Sequence, residues 1–114
     1  MTGYTSLADL EADQDRAAFA ARRRIDEADE HLGFYRSQIT TLLETFYAVA
    51  ERQGVTDHPD FRSRFQGVVQ DTDESFHAGL QVVSALEEDF HRMSARHLDE
   101  REGFLARRQD PAAR

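Results

Sequence analysis

The side chains in this sequence with the best claim to chemistry are two Glu-x-x-His pairs, Glu74 with His77 and Glu88 with His91. On a helix, residues three apart share a face, and such pairs hold the metals of di-iron and di-manganese carboxylate bundles. The two pairs read as lying on one helix, four turns or about 21 Å apart, so within one molecule they cannot share a site. In a chain with 22 acidic residues and five histidines, pairs at this spacing arise by chance. A di-metal carboxylate enzyme is therefore the remote reading. His97 differs in kind, because the apolar periodicity places it in a helix–helix seam opposite Ala18. There it reads as a half-buried histidine bonded to a nearby carboxylate, or more sharply as a pH-sensitive point in the packing. No nucleophile elbow, glycine-rich phosphate loop or Ser, His, Asp arrangement occurs. The expectation is a protein without catalytic residues, metal or cofactor.

Composition narrows the partners. The 114 residues carry a net charge of -8, which disfavours a nucleic-acid backbone, since that affinity comes from neutralising phosphates. The run Arg22, Arg23, Arg24 is followed by Asp26, Glu27, Asp29 and Glu30, the pattern of a solvated helix face laced with ion pairs. All fourteen basic residues are arginine, which reads as codon bias first and only weakly as a preference for bidentate carboxylate pairing. Cysteine is absent, removing disulfides and thiolate chemistry. A mean hydropathy of -0.69 and the lack of a long apolar run predict neither a membrane span nor a cleavable secretory signal.

The elements that would position these residues are two long helices. Ala18, Ala21, Ile25, Ala28, Leu32, Tyr35, Ile39, Leu42, Phe46 and Val49 step by three and four residues. Phe65, Val69, Thr72, Phe76, Gly79, Val83, Leu86, Phe90 and Met93 repeat the pattern. Ser6 with Asp9 suits an N-cap and Gly54 a left-handed C-cap, while Asp57, Pro59 and Asp60 suit a second helix start. The reading is an all-α, elongated antiparallel hairpin forming one domain over residues 1–114. Helix one covers about 6–53, the turn about 54–57 and helix two about 58–108, with disordered termini and Pro111 ending any continuation. Each arm would be about 70 Å long, with Gly33, Gly67 and Gly79 as places where it could break.

Folding the chain so that facing residue numbers sum to about 115 matches large with small across the seam. Ile39 then meets Phe76, Leu32 meets Val83, Ile25 meets Phe90, Tyr35 meets Gly79, Ala28 meets Leu86, and Ala21 meets Met93. Two helices cannot enclose a core, so completion by a partner or by a second copy is expected. Heptad assignment leaves Phe19, Leu43, Leu80, Leu98 and Leu105 along one flank, and Phe34, Phe61, Val68 and Val82 along the other. The first strip is the expected partner-binding surface. The alternative is a homodimeric four-helix coiled-coil structural protein.

The long helix, the polar turn Asp57, His58, Pro59, Asp60, Phe61, and a second helix bearing Leu86, Glu87, Phe90, Leu98, Glu102, Leu105, Arg107 and Arg108 together resemble a known family. The chain is similar, over nearly its whole length, to the small α-helical Lap-type proteins associated with LXG toxins of the type VIIb secretion system. That resemblance implies a cytoplasmic targeting factor or chaperone. It would bind the helical N-terminal domain of a cognate toxin, or a sister small helical protein, and promote export, whether it stays behind or leaves with its cargo without a cleavable signal. The chain has no tryptophan, so the Trp-x-Gly turn of related small substrates is absent. Tyr47 with Glu51 precedes the turn and is not read as an export signal.

Overall fold

The computed structural model describes residues 3–109. Of the termini expected to be disordered, Met1, Thr2 and the segment containing Pro111 lie outside the described residues. The fold is an all-α helical hairpin in which α1 (Leu7–Arg52) and α2 (Pro59–Gln109) run without a break through Gly33, Gly67 and Gly79.

Local chemistry sets the helix ends. Ser6 Oγ accepts from the Asp9 amide at 3.1 Å, filling one of the orphan donors of the first turn. Tyr4 and Thr5 are tied down rather than loose: Thr5 Oγ1 donates to Asp9 at 2.7 Å and the Tyr4 hydroxyl donates to the Asp13 carboxylate. At the other end Gly54 takes a positive φ of 69°. Its amide reaches the Glu51 carbonyl while the Val55 amide reaches Ala50, both at 3.1 Å, the two bonds of a Schellman motif. The cap of α2 is His58 rather than Asp57. His58 directly precedes Pro59, and its Nδ1 accepts from the Asp60 amide at 3.2 Å.

The chain divides into two compact units, each built from a piece of both helices. One combines the chain up to Asp26 with the chain from Ser84 onward, and the other is Glu27–Val83. In the first, Leu10 and Ile25 are buried, and Arg22 lies over the Phe90 ring with its guanidinium carbon 5.4 Å from the centroid. Its one buried polar side chain among the described residues is Gln14, only 4% exposed. Gln14 Nε2 donates to the His97 carbonyl at 3.0 Å and to Glu100 at 3.2 Å, while Arg101 Nε donates to Gln14 Oε1 at 2.6 Å. Arg101 also approaches Glu11 at 3.6 Å and Asp15 at 3.9 Å.

In the Glu27–Val83 unit, Ala50 and Val83 are buried and Arg36 covers the Phe76 ring at 4.6 Å. Leu32 lies directly against the Cα of Gly79: a Cβ built there would overlap Leu32 Cδ1 and stand 3.5 Å from Cγ.

These contacts correct the expected register. Leu32 faces Gly79 rather than Val83, and Gln14 rather than Ala18 reaches the backbone at His97. The facing numbers sum to about 111 instead of about 115, a displacement of one helical turn. The expected helix ends, near about 53 and 58, already imply the smaller sum; the sum of about 115 comes from matching large with small side chains. With α1 ending at Arg52 and α2 starting at Pro59, pairing mirrors the chain about residues 55 and 56.

The seam composition also differs toward the turn. Leu42 and Phe46, assigned to the seam, are 63% and 56% exposed, and Tyr35 is exposed as well. Leu43, assigned to the flank, is half-buried, and Ala50 rather than Val49 is buried. A straight α-helix drifts about 20° per heptad from a strict 3.5-residue repeat. Four heptads from Ala18 to Phe46 therefore accumulate roughly 80°, close to the rotation of one residue, so the inward position passes from Leu42 to Leu43. Ile25, Leu32, Ile39, Phe76, Val83, Leu86, Phe90 and Met93 are buried or half-buried, in keeping with their seam assignment.

Candidate interaction surfaces

The exposed apolar side chains are the most distinctive feature of either unit. Two helices side by side each bury one stripe and leave the opposite face to solvent, and here no large side chain is fully buried among the described residues. In the unit containing both termini, Phe19 is 68% and Leu98 is 59% exposed, with Leu105 exposed beside them in sequence register on α2. In the Glu27–Val83 unit Leu80 is exposed, and Leu43 is partly drawn in between the helices. The expected partner-binding set is thus four exposed side chains and one that has moved toward the seam.

The Glu27–Val83 unit carries a second apolar surface that sequence reasoning did not assemble. Phe46, Tyr47, Phe61 and Phe65 form an aromatic cluster, with Phe61 and Phe65 centroids 5.6 Å apart, Tyr47 and Phe65 5.4 Å, and Phe46 and Phe61 6.0 Å. These separations lie in the range where offset aromatic pairs attract. Along this cluster runs a groove of about 570 Å³ lined by Leu42, Leu43, Phe46, Phe61, Phe65 and Val68, with Asp60 and Arg64 on it. The heptad reading scattered these residues among the seam and both flanks. The signal that unites them is the spacing Phe61, Phe65, Val68 on α2, which has the i, i+4, i+7 form of a helix face.

The candidate chemical groups do not converge. His77 turns to Asp73, its Nδ1 lying 2.9 Å from that carbonyl, while Glu74 accepts from Gln70 at 3.3 Å. Among the described residues no group of three or more His, Asp or Glu side chains stands close enough to hold a metal. His97 contributes its backbone carbonyl, through Gln14, to the polar clasp of its unit.

Electrostatics near the start of α1 centre on Tyr4 and Asp13. The hydrogen bond from Tyr4, with help from Arg16, holds the Asp13 carboxyl below the usual range. The same bond, with a small contribution from desolvation, raises the Tyr4 hydroxyl. Both follow from a hydrogen bond that favours the charged acid and the protonated phenol.

No helix among the described residues is long and apolar enough to cross a membrane. No family model, curated protein or solved structure matches the chain.

Proposed function

We propose that this protein is a non-enzymatic interaction factor that binds another helical polypeptide through apolar side chains its own hairpin leaves uncovered. The observation that carries this reading is the exposure of Phe19 and Leu98, large apolar groups on α1 and α2 of one unit, beside a core too thin to bury any large side chain fully. A helix laid against such a face gains the burial that the two helices cannot give each other.

The resemblance to LXG-associated proteins supplies the class of partner: the helical N-terminal domain of a type VII-secreted toxin, bound in the cytoplasm and delivered for export. The test is titration of such a domain, taken from a toxin encoded with this protein, into the purified chain by calorimetry. Saturable binding that Phe19→Glu and Leu98→Glu abolish supports the reading. Binding that is absent, or unchanged in both variants, would overturn it.

A further inference from the structure

The groove beside the turn is complementary to itself. Asp60 and Arg64 both line it, one helical turn apart on α2, and among the described residues neither has an ion-pair partner. Leu42 and Phe46 stand exposed on its α1 side, with Phe61, Phe65 and Val68 on its α2 side.

We propose that this groove is the docking site for a second copy of the same chain, related by a two-fold axis crossing α2 at the level of Arg62. Under that symmetry the two α2 segments run antiparallel with their grooves face to face, and Asp60 of each copy meets Arg64 of the other. An unrelated partner would have to bring its own matching acid and base. A two-fold axis supplies them automatically, because it carries each member of an i, i+4 pair onto the other.

The inference goes beyond the adaptor reading and does not rest on it, since Phe19, Leu98 and Leu105 belong to the other unit.

Charge reversal tests it on the full chain. By sedimentation at low salt, the native protein should form a dimer at about 100 μM or below. Asp60→Arg and Arg64→Asp should each weaken that dimer by roughly tenfold or more, as both reciprocal pairs become repulsive. The double variant D60R/R64D should recover to within about threefold of native, and an equal mixture of the two single variants should form a heterodimer. Helicity measured alongside reports folding, and the milder Asp60→Asn and Arg64→Gln replace either variant that fails to fold. A native chain that stays monomeric, whether because the groove is empty or because it takes another protein, overturns the proposal. So do single variants that dimerise normally, or a double variant that shows no recovery. None of these results bears on toxin-domain binding through Phe19 and Leu98.

Discussion

Leu32 fills the space that a side chain at Gly79 would need, so that its Cδ1 overlaps the position of a Cβ built on that glycine. This contact fixes the pairing of the helices in its unit. A leucine knob packed on a bare Cα lets the two backbones approach there.

The glycines of α2 should therefore respond differently to alanine. Around Gly67 there is nothing within 4 Å of an added Cβ, so Gly67→Ala should stabilise the hairpin by about 1 kcal/mol through helix propensity alone. Gly79→Ala gains the same propensity but displaces Leu32, and overpacking of this kind costs about 1–3 kcal/mol. Chemical denaturation should rank Gly67→Ala above native and Gly79→Ala at or below it.

The clasp at Gln14 predicts a coupled loss. Gln14→Ala removes the acceptor of Arg101 Nε and the side-chain donor to the His97 carbonyl, a change that costs about 1 kcal/mol. Arg101→Ala removes the donor to Gln14 and the contacts to Glu11 and Asp15. A double-mutant cycle should give a coupling of about 0.5–2 kcal/mol, since the two side chains share one network.

Tyr4 and Asp13 set opposite pH limits. Asp13 is depressed when folded, so its contribution is present above the unfolded carboxylate value of about 3.9 and is lost as pH falls through the lower folded value. Tyr4 is raised, so its contribution is present below about pH 10 and is lost as pH rises through the higher folded value. Carboxyl-carbon NMR titration should find Asp13 below the ordinary range in the native protein. Tyr4→Phe should move it upward, leaving the smaller lowering effects of Arg16 and His97.

Substitution of the exposed leucines should separate binding from folding. Leu98→Glu and Leu105→Glu change side chains open to solvent, so stability should stay within about 0.5 kcal/mol of native. Partner affinity should fall by tenfold or more if these side chains lie in the buried centre of an interface. Calorimetry beside thermal unfolding reads both quantities.

Much of the fold is legible in local chemistry. Ser6 before a leucine-rich run and Gly54 after one mark α1 because caps depend on a few neighbouring residues. The register is less legible because several pairings match large with small side chains, and volume alone does not choose among them. Matching side-chain volumes at a sum near 115 puts Tyr35 at Gly79, whereas the helix ends on either side of the turn give a sum near 111 and put Leu32 there. Gln14 belongs to the stripe through Leu10, Ala18 and Ile25, but its polar side chain makes that stretch look like an exposed end. The groove escaped for another reason: drift between 3.5 and 3.6 residues per turn accumulates until Leu43 replaces Leu42, turning presumed core residues into surface.

The central claim is that two helices of this composition are completed by another polypeptide, in the purified chain by a second copy. The most direct measurement is the unfolding temperature of the pure protein over a hundredfold range of concentration. Association of folded chains stabilises by mass action, so the account predicts a midpoint that rises steadily with concentration. A midpoint independent of concentration, in a chain that remains at 13.1 kDa throughout, would contradict it.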